Sequence, residues 1–110
     1  MRRINELVLS KDLISFPSIT PIDAGAINFL AKKLKSLGFK CKILEFKKGK
    51  GKPIKNLYAK LGSKQPNLCY AGHTDVVPPG NYKDWTVNPF KPRIKKGHHV
   101  GRGANDMKSS

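Results

Sequence analysis

Cysteine is scarce in this 110-residue sequence, which contains only Cys41 and Cys69. The two residues lie far apart, so the C-x-x-C pairs that build zinc ribbons and dithiol redox sites are absent. Each cysteine lies in an apolar segment with the composition of a β-strand. We therefore expect both to be buried free thiols of a protein from a reducing compartment.

Acidic residues are also scarce, since 7 Asp and Glu stand against 22 Lys and Arg and the formal net charge is +15. Such an excess can indicate a basic nucleic-acid-binding module, which stays open as an alternative. Only four of the basic residues are arginine, however, and the aromatic residues are not interleaved with them. We therefore expect most lysines to lie on solvated faces, and nucleic acid is not the expected partner.

No apolar run is long enough to cross a membrane, and Glu6, Lys11 and Asp12 interrupt the apolar residues that follow the basic start. The same interruptions exclude a signal peptide. We expect a cytoplasmic protein with no membrane partner. Its length corresponds to one small domain or to a piece of a larger one.

Two amphipathic helices are predicted in the first third of the chain. Residues 4–15 carry apolar side chains at helical spacing, and the helix should end before Pro17. The next segment, SITPID, is typical of a helix start, with Thr20 as the cap and a proline in the first turn. The apolar residues that follow keep helical spacing up to Gly38, a natural stop.

Strand-like segments follow the helices. Residues 39–46 and 54–61 flank the turn KKGKGKP and predict a hairpin. Residues 68–72 are short and apolar and predict a strand buried in a sheet. Residues 90–94 and 98–100 predict a second, smaller hairpin. The order of these elements predicts an α/β fold with a mixed sheet.

The residues best suited to chemistry lie in the last third of the chain. His73 and Asp75 follow the apolar segment, and alternate residues of a strand share a face, so Asp75 can accept a hydrogen bond from His73. Asp106 follows a turn at residues 101–103, whose glycines let the chain aim that carboxylate back toward the sheet. Imidazole and carboxylate groups are zinc ligands, and an aspartate can bridge two metal ions. The pattern favours a hydrolytic metal site.

Two other interpretations of this region are weaker. The turn at residues 101–103 is not a phosphate-binding loop, because Asp106 occupies the position of the third glycine and would repel a phosphate. His98 and His99 could be proposed as metal ligands, but we expect them to be exposed strand residues.

Three segments, GHTDVVPPG, NPF and GRGANDMK, resemble the amino-terminal signature of the dinuclear-zinc aminoacylase and carboxypeptidase family. The similarity extends over nearly the whole chain, including the PSITPIDAG stretch. It implies that residues 1–110 are the amino-terminal, incomplete part of a zinc-hydrolase catalytic domain. The implied fold is an α/β, partial mixed-sheet, zinc-dependent exopeptidase-like domain that stops before its second half.

The resemblance also implies roles for three residues. His73 would be a terminal ligand to one metal, and Asp106 would bridge both. Asp75 would be counted among the catalytic residues because it holds His73 in its liganding orientation. The cofactors would be two divalent metals, zinc with cobalt as an alternative, and the peptide bond after Asp106 would be cis.

The implied activity is amide hydrolysis of a small-molecule substrate in lysine and diaminopimelate biosynthesis. The finer motif match favours N-succinyl-LL-2,6-diaminopimelate, with N-acetylornithine or another acylated amino acid as the alternative. Complete members are expected to be homodimers. The resemblance places beyond Ser110 the Glu-Glu pair that supplies the general base and a zinc ligand, the remaining carboxylate ligand and the distal histidine, so we expect the chain alone to be inactive. We also expect it to fold weakly, because sheet edges and helix faces would lack their partners.

Overall fold

The computed structural model describes residues 3–110, in which two helices and two antiparallel hairpins form the regular structure. The helices are α1, Glu6–Ser15, and α2, Ala26–Ser36. The strands are β1, Lys40–Phe46; β2, Ile54–Lys60; β3, Arg93–Lys95; and β4, His98–Val100. A 3-10 helix, Tyr82–Asp84, lies in the loop between the hairpins. The predicted α/β class is confirmed. None of the helices within residues 3–110 is long and apolar enough to cross a membrane.

Helix α1 ends where its sequence predicts and begins two residues later than predicted, at Glu6. The side chain of Asn5 caps its start, because Oδ1 accepts a hydrogen bond from the backbone N–H of Val8 at 3.0 Å. The helix ends at Ser15, and Phe16 is already extended ahead of Pro17. This is the geometry that a following proline favours.

Helix α2 begins at Ala26, so the prediction of a start at residues 18–23 with Thr20 as the cap is wrong. The backbone N–H of Thr20 donates to the carbonyl of Val76 at 3.1 Å, and the N–H of Val76 donates to Ser18 at 2.9 Å. These bonds hold residues 18–20 in a strand-like pairing with Val76. A backbone in that conformation cannot form the first turn of a helix.

The N-cap position of α2 is Gly25, with φ of 95°, and the side chain of Asp23 accepts hydrogen bonds from the start of the helix. Its Oδ1 accepts a hydrogen bond from the N–H of Ile27 at 3.0 Å, and its Oδ2 accepts one from Gly25 at 3.1 Å. The helix ends at Ser36, and Gly38 follows with φ of 94°. Gly38 therefore has the predicted role of a stop, which requires a positive φ.

Strands β1 and β2 form the predicted hairpin, with Lys40 opposite Lys60 and Phe46 opposite Ile54. One face of the hairpin lies against α2, where Sγ of Cys41 is 3.7 Å from the carbonyl oxygen of Ala31. The opposite face leaves large apolar side chains such as Phe46 exposed. The hairpin thus has one covered and one uncovered face within the described chain.

The segment at residues 68–72 is not the buried strand that its apolar sequence predicts. Leu68 is 98% exposed, and its backbone pairs with no strand among the described residues. Cys69 is a free, exposed thiol, so its predicted burial is wrong, whereas the free thiol of Cys41 is partly buried. Apolar strands are buried by neighbours, and residues 3–110 supply none here. Their one parallel pairing is the bridge between Ile19 and Val76.

The buried core lies between the two helices and the segment that follows residue 72. Ile14 of α1 is completely buried. A Cβ atom on Gly101 would lie 2.8 Å from Cγ2 of Ile14, so the chain passes the core here at a distance that only glycine permits. The buried apolar side chains are Leu13, Ile14, Ala26, Ile27, Ala31 and Val76.

Gly103→Ala should destabilise the fold strongly. Gly103 has φ of 87°, and a Cβ there would lie 2.8 Å from Cγ1 of Val76. Gly80 has a similar φ of 74° with nothing within 4 Å, so Gly80→Ala is a matched control. We expect the free energy of unfolding to fall by about 2–4 kcal/mol for Gly103→Ala and by about 1 kcal/mol for Gly80→Ala. Urea unfolding followed by the fluorescence of Trp85 measures both, and equal losses would contradict the packing argument.

Candidate metal centre

The backbone that carries His73 and Asp75 is fixed by the segment before α2. Ser18 is 1% exposed, and its hydroxyl donates a hydrogen bond to the carbonyl of Thr74 at 2.6 Å. Val76 forms the bridge described above. Because the chain is held at residues 74 and 76, the side chains of His73 and Asp75 leave it on the same side.

Asp106 lies in the last turn of the described chain. The N–H of Arg102 donates to the carbonyl of Pro89 at 2.8 Å, and the N–H of Lys108 donates to Gly103 at 2.8 Å. The peptide bond Asp106-Met107 is cis, as the family resemblance implies. These contacts position the turn so that the carboxylate of Asp106 is directed toward the end of the His73 segment.

The structure brings His73, Asp75 and Asp106 together in a cavity of about 270 Å³. Nε2 of His73 lies 3.1 Å from Oδ1 of Asp106. Nδ1 of the same ring lies 3.1 Å from both the carbonyl oxygen and Oδ1 of Asp75. Each ring nitrogen therefore has an oxygen partner, and the two carboxylates lie at opposite edges of the imidazole.

This arrangement favours a positive charge on the His73 ring. Partial burial lowers the pKa of His73, but the carbonyl of Asp75 and the carboxylates of Asp106 and Asp75 raise it by more. The net pKa is above the ordinary value for histidine. Protonation of His73 thus stabilises the folded chain at low pH, and this contribution is lost as the pH rises through the raised pKa.

We expect His73 to titrate at a higher pH than His99, because partial burial and the positive charge of Lys11 lower the pKa of His99. The chain contains three histidines, so imidazole signals in an NMR titration can be assigned with single His→Gln variants. Asp106→Asn removes one of the negative charges and should lower the pKa of His73 without moving that of His99. Coincident titration of the two rings, or no response to Asp106→Asn, would contradict the geometry.

The donor set fits a zinc ion in part. A neutral imidazole nitrogen and a carboxylate oxygen are zinc ligands, and two ligands of one tetrahedral ion lie about 3.4 Å apart. The Nε2–Oδ1 separation of 3.1 Å is close to that value. Asp75 is at the other ring nitrogen, where an oxygen fixes the tautomer of a liganding histidine. Residues 3–110 contain no group of three or more His, Cys, Asp or Glu side chains that could hold a metal ion.

The segment that carries the candidate site is similar to known proteins. The model of peptidase family M20/M25/M40 matches residues 69–110, the segment that contains all three residues of the site. The succinyl-diaminopimelate desuccinylase of Pelagibacter ubique is 67% identical over 100% of this chain. Residues 69–110 are thus similar to peptidase family M20/M25/M40, and the whole chain is similar to the first part of this relative.

Two further relatives show the same similarity. The succinyl-diaminopimelate desuccinylases of Wolbachia pipientis wMel and Anaplasma marginale are 55% and 52% identical over 97% and 100% of the chain. The chain spans 29% of the length of the Pelagibacter relative and 26% and 28% of the other two. The crystal structure of human carnosine dipeptidase 1 has the same fold, with a TM-score of 0.79 and 24% identity over 94% of this chain and 25% of that one.

Lys108 forms a contact that the sequence did not reveal. Its side chain is buried, with 4% of the residue exposed, and Nζ donates to the carbonyls of Leu13 and Phe16 at 2.8 Å each. Burial lowers the pKa of Lys108 to about 8, against the opposing charges of Asp23 and Asp75. The lysine therefore ties the turn that holds the candidate site to the end of α1. No local pattern marks it, because its partners are distant in sequence.

The histidines of β4 take no part in the candidate site. His98 is exposed, as predicted, and its Nδ1 lies 3.0 Å from the carbonyl oxygen of Lys96. The predicted exposure of His99 is wrong, because this residue is partly buried and its Nδ1 lies 3.2 Å from the hydroxyl of Ser10. That hydroxyl is 2.6 Å from the hydroxyl of Ser109. His99 thus helps to join α1 to the last turn.

Proposed function

We propose that residues 1–110 form the amino-terminal part of the catalytic domain of a metal-dependent amidohydrolase that acts on N-succinyl-LL-2,6-diaminopimelate. Hydrolysis of the succinyl amide gives succinate and LL-diaminopimelate, a step of lysine and diaminopimelate biosynthesis. The observation that carries the proposal is the convergence of His73 and Asp106 at 3.1 Å. The names of the relatives support the substrate, at identities of 52–67%.

In this proposal His73 would hold one metal ion through Nε2, and Asp106 would be a ligand to both metal ions. Asp75 is a positioning residue: it accepts the proton of Nδ1 and so leaves the lone pair of Nε2 free to face Asp106. When bound, two zinc ions would supply the Lewis acidity that polarises the amide carbonyl, and cobalt is the alternative metal. The two aspartates keep this part of the cavity negative, which favours retention of cations.

The same proposal covers the compartment, the oligomeric state and the partners of the whole protein. It works in the cytoplasm as a homodimer on a small-molecule substrate, without a membrane or nucleic-acid partner. The general base and the remaining metal ligands come from sequence outside residues 1–110. The exposed apolar segment around Leu68, 98% exposed, fits a catalytic domain of which this chain is one part.

A chimera tests the proposed function directly. Residues 1–110 replace the aligned region of the Pelagibacter ubique desuccinylase, to which they are 67% identical. We expect the purified, metal-loaded chimera to release succinate from N-succinyl-LL-2,6-diaminopimelate. A chimera that folds and binds metal but leaves this substrate intact would contradict the proposal. If the chimera prefers N-acetylornithine, that compound is the substrate instead.

A further inference from the structure

The backbone of Arg102 is held firmly next to the candidate metal centre. Its N–H bonds to the carbonyl of Pro89, which is fully buried, and the preceding Gly101 packs against the core residue Ile14. Arg102 lines the same cavity as His73 and Asp106. The turn that carries Asp106 therefore also fixes the backbone position from which the Arg102 side chain extends.

The guanidinium of Arg102 is oriented by an aromatic ring. Its Cζ atom lies 4.9 Å from the centroid of Trp85, whose Nε1 donates to the carbonyl of Pro79 at 2.9 Å. A guanidinium held against a ring face by cation–π attraction keeps its own N–H donors, because the ring offers no oxygen acceptor. The stack thus orients Arg102 without using its hydrogen-bonding capacity.

The guanidinium of Arg102 forms no hydrogen bond with any of the described residues. Nε of Arg102 is buried without a hydrogen-bond partner, and the guanidinium forms no ion pair with any carboxylate of residues 3–110. A buried donor without an acceptor destabilises a fold, and the effect is larger for a charged group. No described residue accepts a hydrogen bond from the guanidinium, so its remaining N–H groups are available to an acceptor from outside residues 3–110.

We propose that Arg102 forms a carboxylate-binding subsite for the substrate beside the His73–Asp106 pair, an inference that rests on the proposed function. Arg102 is the one lysine or arginine among the described residues that line the cavity. A planar guanidinium matches the two oxygens of a carboxylate. A carboxylate of the substrate held at Arg102 would give the substrate a defined orientation relative to the His73–Asp106 pair.

The proposed substrate carries carboxylates on both its succinyl and its diaminopimelate portions, and the guanidinium of Arg102 can bind a carboxylate of either portion. The chimera distinguishes them when assayed with the succinyl substrate and with its butanoyl analogue, which lacks the acyl carboxylate. If Arg102 binds the succinyl group, Arg102→Gln raises KM for the succinyl substrate by about 10–100-fold and leaves KM for the butanoyl analogue unchanged. If it binds the diaminopimelate portion, both KM values rise.

Binding of the two products, succinate and LL-diaminopimelate, gives a readout that does not need catalysis. Calorimetry on the metal-loaded chimera should show one product bound about 10–100-fold more weakly by Arg102→Gln and less so by Arg102→Lys, which keeps the charge. Arg93→Gln, an exposed arginine outside the cavity, is the matched control and should change neither product by more than about twofold.

The outcomes separate this inference from the proposed function. An inactive chimera whose binding of one product still depends on Arg102 overturns the proposed reaction but supports the subsite. An active chimera in which Arg102→Gln, at unchanged metal content, alters neither KM nor product affinity overturns the subsite. Equal weakening by Arg102→Gln and Arg93→Gln also overturns it, because a general loss of positive charge would then account for the effect.

Discussion

In the chimera, His73→Ala and Asp106→Ala should each lower kcat/KM for N-succinyl-LL-2,6-diaminopimelate by at least about 1000-fold. Loss of a group that only supports a metal ligand typically costs 10–100-fold, and loss of the ligand itself should cost more. Asp75→Asn is expected in that lower range, because Asn can still accept a hydrogen bond from Nδ1 but carries no charge. The graded order, with Asp75 mildest, follows from the contacts at 3.1 Å on the two sides of the His73 ring.

Metal content separates this expectation from simple unfolding. His73→Ala and Asp106→Ala should lose bound zinc, measured by elemental analysis, while the far-ultraviolet circular dichroism stays that of the parent. His98→Ala is the matched control, because His98 is exposed on β4 and outside the cavity, and it should stay within about twofold of the parent. Retention of activity by His73→Ala or Asp106→Ala would remove both residues from the proposed metal site.

The 110-residue chain alone should show no hydrolysis above a blank that contains only the metal salt. Residues 3–110 bring two donor side chains to the candidate centre, whereas zinc sites in proteins use three or four. They also place no further carboxylate beside His73 that could act as a general base. The chimera supplies the missing residues, so the rate difference between the two proteins should reach several orders of magnitude.

This second prediction needs a comparison at equal zinc and equal protein concentration. The signal to follow is succinate release over hours, with the His73→Ala chain as a control for contaminating hydrolase. We also expect the isolated chain to bind zinc weakly, so that a chelating dye removes the metal completely. Hydrolysis by the isolated chain that disappears in its His73→Ala variant would show that two side chains suffice, contrary to the expectation.

Local patterns in the sequence predicted local structure well. Proline after Phe16 ended α1, glycine at position 38 ended α2, and the lysine-rich turn joined β1 to β2. Each of these signals acts on the backbone conformation of adjacent residues, so its effect does not depend on the rest of the fold. The pairing of His73 with Asp75 belongs to the same class, because residues two apart in an extended segment share a side.

Contacts between distant segments were not predictable in this way. The start of α2 moved to Ala26 because Val76, far along the chain, binds residues 18–20. Burial of Leu68 depends on neighbours that residues 3–110 do not provide. The glycine-rich turn predicted that Asp106 would be directed back toward the sheet, but the 3.1 Å approach of its carboxylate to His73 depends on contacts between distant segments.

The buried ammonium of Lys108 has a consequence for the order of assembly. Its hydrogen bonds are made to the carbonyls of Leu13 and Phe16, so the loop that they close includes most of the described chain. Closing so large a loop carries a considerable entropic cost, and contacts of this kind slow the search for the native state. During synthesis, these carbonyls at the end of α1 can accept hydrogen bonds from Lys108 only after almost all of residues 1–110 have left the ribosome. Shortening the first helix should therefore disturb the distant carboxylate of Asp106.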